Sequence, residues 1–516
     1  MTVSIDRSRI PRTYRDYLET LKQMGEMVEI DDEIDWNLEM GAIFRLTAES
    51  LSPGAFFNRI KGCPEGFRAA DLGYAKSGKE GQPWARLAVL MGLPPETDLM
   101  SIQSAYIHAK ENGTRYPPKI VDPAGAPCKE NKWFGDDIDL TRFPAPLGHF
   151  GDGGRYIQTG GINIVRTPDG RWTNWSTNRG MIVGPRHMTG LWLPVQHNGM
   201  IHQMWKKEKQ DMPWALALGV SPAVMTQAAA KCPAWVDEYD HASMLLDDAI
   251  DMVKCETNDL LVPADAEIII EGTVSHCDCV DEGPFGEYPG YLSGSTKENP
   301  FGSSKPRPLQ TVNAVTFRKD PILPISLPGV PTDNCHIGQG FFMSADAVIA
   351  LIKGGIPLVD AMLLMESALH WFVIRVPSDW KEQTGWSVKE LMNNIARVYG
   401  CPENHILHIA PKILVVGEDI DPSDPNLVVW AFATRNSPEK GTYLYPAISA
   451  GTTLEPYRAE NPHQDVSEGL VIYSCLAFDG EVAFSLREIM SFENNYPKDV
   501  REKVLKNWAK WGFVEK

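Results

Sequence analysis

No helix can run through Asp281–Tyr291 (Asp-Glu-Gly-Pro-Phe-Gly-Glu-Tyr-Pro-Gly-Tyr), so whatever this chain folds into must accommodate that break. Gly283, Gly286 and Gly290 permit turns and a close backbone approach to a ligand, while Pro284 and Pro289 fix φ and remove donors. Two carboxylates, Glu282 and Glu287, sit among Phe285, Tyr288 and Tyr291. Those apolar rings predict desolvated acids with raised pKa values, in the range useful for proton transfer. By spacing alone, a surface loop with two solvated acids is the commoner outcome. A functional reading needs a partner cation from elsewhere in the chain.

The 516 residues exceed one ordinary domain, and two or three are expected. The first, residues 1–126, reads as a small α/β domain with an amphipathic helix over 9–24, in which Tyr14, Leu18 and Leu21 share a face. Within it, Ala85–Met91 reads as a buried strand and Leu99–Lys110 as a helix. Residues 127–330 hold many strand-like runs between Gly/Pro turns, which suggests a barrel-like β-domain. Thr159–Thr167 and Gly170–Ser176 flank the turn Thr167-Pro-Asp-Gly170. Further strands are expected at Trp214–Leu218, Ala266–Val274 and Leu309–Phe317, with a helix at Met244–Cys255. Residues 331–516 alternate helix and strand again. There Ser344 is expected to cap a helix ended by Gly354-Gly355, with strands at Trp371–Val376 and Lys412–Val416 and a terminal helix over Pro497–Gly512.

A net charge of −18 opposes nucleic-acid binding and docking on anionic membranes. No run reads as a membrane span, and the first residues lack the apolar core of a secretory signal. Nine cysteines without a CxxC suit reduced thiols, so a cytoplasmic location is expected. His276-Cys277-Asp278-Cys279 has no second half to complete a zinc site, and strand alternation would split its side chains between two faces.

Thr173-Asn-Trp-Ser-Thr-Asn-Arg-Gly-Met181 follows a predicted strand, and its Arg179 is the natural cation for Glu282 and Glu287. A guanidinium also suits a substrate carboxylate. Gln196-His197-Asn198 and His202-Gln-Met-Trp-Lys-Lys207 come close behind. Asn174, His197 and Glu238 lie too far apart in sequence for spacing to define a metal site, but such a mixed N/O set would suit Mg²⁺ or Mn²⁺ better than zinc. Lys412 stands at a strand start, where its ammonium either faces water or meets a phosphate. No P-loop, Rossmann glycine fingerprint or nucleophile elbow is present.

Asn-Trp-Ser-x-x-Arg-Gly-Met from Asn174, Gln196-His197, His-x-Met-Trp-Lys-Lys from His202, Glu-Gly-Pro-x-Gly-Glu-Tyr-x-Gly-Tyr from Glu282 and Val-Trp-Ala-x-Ala-Thr-Arg from Val429 occur in that order. Together they resemble the UbiD decarboxylases, most nearly the ferulic/cinnamic acid decarboxylase branch, from about residue 10 to the C-terminus. The resemblance implies an α/β multidomain fold whose central split β-barrel, of flavin-reductase type, binds prenylated FMN. An N-terminal α/β domain and a C-terminal α/β dimerisation domain would flank it. It also implies a homodimer, with hexamers in some members, and a flavin prenyltransferase as cofactor supplier.

By motif match, Asn174, His197 and Glu238 would hold Mn²⁺ or Mg²⁺, and the Trp175 carbonyl would join a K⁺ shell. Thr159, Ser176, Thr177, Asn178, Gln196 and Lys412 would line the cofactor. Arg179, Glu282 and Glu287 would be the catalytic network for decarboxylating an aromatic, heteroaromatic or α,β-unsaturated acid by cycloaddition, CO₂ loss and protonation from Glu287. Ala228–Ala230 depart from relatives with Ser near the phosphate, and Phe285, Pro289 and Thr442–Tyr445 depart where substrate choice is expected to be set. The alternatives are a carboxylase subunit of a larger assembly and a non-catalytic flavin-binding protein.

Overall fold

The computed structural model describes residues 3–230, 232–293, 302, 304–401, 410–449, 469–476 and 490–513. They form two compact units: one with the described residues up to Asp346 and Met365–Leu369, the other with Ala347–Leu364 and the described residues from His370 on.

The first unit opens on the helix Tyr14–Gln23, started by a capping box between Thr13 and Asp16 and burying Tyr14, Tyr17, Leu18 and Leu21. The buried hydroxyls of Tyr14 and Tyr17 donate to the Asp71 and Gly73 carbonyls at 2.9 and 2.6 Å. This pins the helix to a four-stranded sheet ordered Met27–Ile34, Gly54–Ile60, Arg68–Asp71, Ile322–Ile325. Ala85–Leu90 is a helix, not the expected strand, and it is buried on nearly every side. A short run buried all round has no amphipathic period to separate helix from strand. Its Arg86 donates to Glu26 at 2.7 Å in a buried ion pair.

The larger sheet of this unit is antiparallel and runs Tyr156–Gln158, Gly180–Gly184, His187–Gly190, Lys305–Phe317, Ile268–Glu282, Met212–Leu218, Gly161–Arg166, Thr173–Ser176. Asn131–Phe134 pairs with Lys305–Phe317 from outside this path. Chain connectivity forces the sheet to curl. Thr173–Ser176 lies at one end of this order, yet Gly180–Gly184, second from the other end, follows it after only three residues. Six strand spacings of a flat sheet would separate them by about 29 Å. The chain from Ser176 to Gly180 reaches about 14 Å at most. The sheet therefore curls into a half-barrel, as expected for the split barrel, with Thr177–Arg179 spanning the gap. Trp172, Trp214, Leu216, Ile268, Ile270, Val312 and Val315 belong to the core behind it.

Two further expected elements differ. The helix placed at Met244–Cys255 is Glu238–Leu246, stopped by left-handed Asp247, and Asp251–Lys254 is instead a strand paired with Leu261–Pro263. Ser344 does not cap a helix; it lies inside Asn334–Lys353 and its hydroxyl donates to the Gly340 carbonyl. Asp333 receives the first-turn amides of Cys335 and His336 at 2.9 and 3.3 Å. That helix is long and apolar enough to cross a membrane, contrary to the expectation from the sequence, but 78% of its apolar window is buried inside the protein.

The second unit is built on a five-stranded mixed sheet, Asp360–Leu363, Trp371–Arg375, Lys412–Val416, Gly469–Ser474, Thr442–Ser449. Val373, Leu414, Val416, Val428 and Ala431 share its core. The terminal stretch forms the helix Lys498–Asn507 and a short turn at Ala509–Trp511, neither with a buried residue.

Candidate active site

Arg179 sits at the end of the three-residue crossing and faces both acids of the Gly/Pro stretch. Its Nε and Nη2 donate to the two oxygens of Glu282 at 2.8 and 3.1 Å, and its Nη1 donates to Glu287. Glu282 terminates the long strand Ile268–Glu282, and Glu287 lies five residues on, beyond the turn. Their surroundings differ: the Glu282 side chain is 2% exposed and that of Glu287 25%.

The expectation that burial would raise both acids fails for Glu282. Burial does push it up, but the Arg179 guanidinium and then the Tyr156 hydroxyl hold the carboxyl below its ordinary value. Tyr156 donates to Glu282 Oε1 at 2.8 Å and is itself pushed far above the ordinary phenol value by burial and the adjacent charge. Phe285 is buried, its ring 4.4 Å from that of Tyr156 and 5.1 Å from the Arg179 guanidinium. The ring supports the cation rather than lying open to solvent.

A second polar group lies at the Thr173–Ser176 strand. Asp237 accepts the Thr173 amide at 3.1 Å and docks the start of the helix Glu238–Leu246 there. Glu238 accepts from Asn174 Nδ2 and the Trp175 amide, both at 2.8 Å. Burial pushes the Glu238 carboxyl up to about 8, and among the described residues no Lys or Arg pairs with it. Asn174 Oδ1 and Ser176 Oγ are buried without a hydrogen-bond partner. An acid lacking a cation beside an acceptor lacking a donor fits a site for a hard divalent ion. His197 opens the helix His197–Lys207, its ring edge-on to Trp172 at 5.0 Å, and Trp172 precedes Asn174 by two residues. Among the described residues no three His, Cys, Asp or Glu cluster as a metal site, and this set supplies only two such groups.

The crossing is tied down by amides. Asn178 Nδ2 donates to Gln196 at 2.6 Å, its Oδ1 accepts from Asn198 at 2.7 Å, and its carbonyl accepts from Asn163 at 3.0 Å. Thr159 accepts the Ser326 amide at 3.1 Å, and Thr177 is half-buried on the crossing. Lys412 opens a strand of the second unit, as do Thr442–Tyr445, where Tyr445 donates to Asn393 at 2.9 Å. Arg179, Glu282 and Glu287 therefore meet, as do Asn174, Trp175 and Glu238. Tyr156 and Asn198 join the site beyond the residues expected from the sequence. Tyr156 gave no local signal, because strand pairing with Met181 brings it in; Asn198 stood beside Gln196-His197 and was legible there.

Residues 119–331 match the 3-octaprenyl-4-hydroxybenzoate carboxy-lyase Rift-related domain of the UbiD family, 18–106 the corresponding N-terminal domain and 341–475 the C-terminal one. The chain is 33% identical to ferulic acid decarboxylase 1 of Saccharomyces cerevisiae, covering 97% of this chain and 98% of that one. It is also 33% identical to pyrrole-2-carboxylic acid decarboxylase of Pseudomonas aeruginosa, with the same coverage. Among solved structures it resembles an evolved dimeric form of the UbiD-class enzyme HmfF from Pelotomaculum thermopropionicum in complex with prFMN. The TM-score is 0.72 at 26% identity, over 90% of this chain and 94% of that one.

Proposed function

This chain belongs to the UbiD family of carboxy-lyases, and from that premise we infer that it decarboxylates an aromatic or heteroaromatic acid at Arg179, Glu282 and Glu287. The observation that carries the reading is one guanidinium shared by two unequal acids. One guanidinium serves the two carboxylates unequally, and like charges that share a cation compete for it. Glu282, bidentate on Arg179 and bonded to Tyr156, keeps the charge. Glu287, with the single contact and the greater exposure, is the acid that exchanges protons. Arg179 orients the substrate carboxylate, and Glu287 delivers a proton to the carbon that loses CO₂.

The flavin is prenylated FMN, which supplies the electron sink for carboxylate loss when bound. Asn174, His197 and Glu238 would hold Mn²⁺ or Mg²⁺ against its phosphate, with K⁺ near the Trp175 carbonyl. Ser176, with its unpartnered buried hydroxyl, suits a phosphate contact, and Thr159, Thr177, Asn178, Gln196 and Lys412 complete the lining. The functional unit is a homodimer whose cofactor comes from a flavin prenyltransferase.

Glu287→Gln is expected to stop turnover while leaving flavin absorbance and cofactor mass unchanged in protein co-expressed with a flavin prenyltransferase; normal turnover in that variant overturns the assignment. Glu238→Gln is expected to purify with less Mn²⁺ and less flavin per chain, read by elemental and mass analysis. Unchanged metal content would remove Glu238 from the ligand set.

A further inference from the structure

The loop that carries Glu287 is gripped on both sides by an aspartate–histidine pair. On one side Gly286 N donates to Asp152 Oδ1 at 2.9 Å. The ring of His149 faces Asp152 through Nδ1 at 3.1 Å and the Pro328 carbonyl through Nε2 at 2.8 Å. On the other side the Tyr288 carbonyl faces His336 Nε2 at 2.6 Å, while His336 Nδ1 faces Asp333 Oδ1 at 2.8 Å. Each imidazole thus stands between a carboxylate and a backbone carbonyl.

Carboxylate and carbonyl oxygens only accept hydrogen bonds, and a neutral imidazole carries a single N–H. A neutral ring would leave one of its two acceptors unserved; a doubly protonated ring serves both. The aspartates are already committed as acceptors. Asp152 Oδ2 takes the His149 amide at 2.9 Å. Asp333 Oδ2 takes Arg45 Nη1 at 2.7 Å and the Gly329 amide at 2.9 Å. The charged groups facing the rings are Asp152 for His149, and Asp333 with Arg45 behind it for His336. Arg45 also donates to Glu49 at 3.0 Å, so two cations meet two anions on that side.

We propose that His149 and His336 are imidazolium clamps, positioning residues that fix the backbone on either side of Glu287 and so aim its carboxyl. The proposal rests on Glu287 as proton donor; neither histidine touches the reacting groups. When a ring is removed, its two contacts go, the loop slackens and kcat falls while substrate binding is little changed.

The test uses full-length protein labelled with ¹⁵N in its histidine rings, with the two signals assigned by their loss in His149→Gln and His336→Gln. Both rings are expected to show two protonated nitrogens at neutral pH, one for each acceptor they face. A neutral-tautomer pattern for either ring overturns the proposal. Each Gln variant is expected to lose roughly tenfold or more in kcat with KM changed by less than about threefold and flavin content unchanged. Unchanged kcat in both, with Glu287→Gln inactive, overturns the positioning role while leaving the proton donor in place. An active Glu287→Gln removes the donor and the positioning role together, and the ring signals still judge the clamp itself.

Discussion

Gly286 has no room for a side chain: a Cβ built there would lie 2.5 Å from His149 Nδ1. The ring cannot swing aside, since Asp152 and the Pro328 carbonyl hold both its nitrogens. Gly286→Ala is therefore expected to cost about 1–3 kcal/mol in denaturant unfolding, as overpacking does, and to lower kcat through the displaced Glu287. Wild-type stability and turnover in that variant would show that the loop tolerates the shift. At this scale the sequence made Arg179, Glu282 and Glu287 legible as a set but not their inequality. An apolar neighbourhood suggested raised acids; a bidentate guanidinium and a tyrosine hydroxyl reverse that for Glu282. Tyr156 lies 126 residues from Glu282, and only the strand pairing brings them together. Phe285 drew attention as a departure expected to set substrate choice, and it proves to be packed against Arg179.

Elements with a strong period or a cap were readable, whereas the short buried run Ala85–Leu90 was not. Tyr14–Gln23 shows a clean apolar stripe and the Thr13–Asp16 box. Thr13→Ala should cost about 1 kcal/mol, seen as a lower denaturation midpoint with an unchanged slope; no change would mean that the packing of Tyr14 and Tyr17 alone holds the helix. Ala85–Leu90 offered only apolar residues around one arginine, and no pattern separates a buried strand from a buried helix there. Ser344 looked like a cap because a serine before an apolar run usually is one. The helix actually starts at Asn334, where Asp333 takes the first-turn amides.

The whole molecule is acidic, and its stability is expected to carry a pH signature from Asp265. This part-buried carboxyl has an unpartnered Oδ2, and burial pushes it up to about 7. Its folded value lies above the ordinary aspartate value of about 3.9, so the folded state holds the proton more tightly. The stability it contributes is full below that ordinary value and is lost as pH rises through the folded one. Asp265→Asn should therefore raise Tm relative to wild type at pH 8 and leave it nearly unchanged at pH 4; an equal effect at both would refute the shift. The curled sheet follows from the order of its strands, which no local pattern encodes, and so the barrel was legible only as texture and resemblance.

Between Val274 and Cys279 the strand that ends in Glu282 departs from regular pairing: these residues pair with Gln310 and Pro308, so the segment between them holds more residues than the partner needs. A strand in regular register cannot gain or lose a single residue without turning every later side chain to the opposite face. The slack at Ser275–Asp278 is where the chain's length can drift over generations while the acid at the far end keeps its aim. Insertions and deletions among descendants of this gene should therefore gather in those four positions and spare the paired stretches on either side.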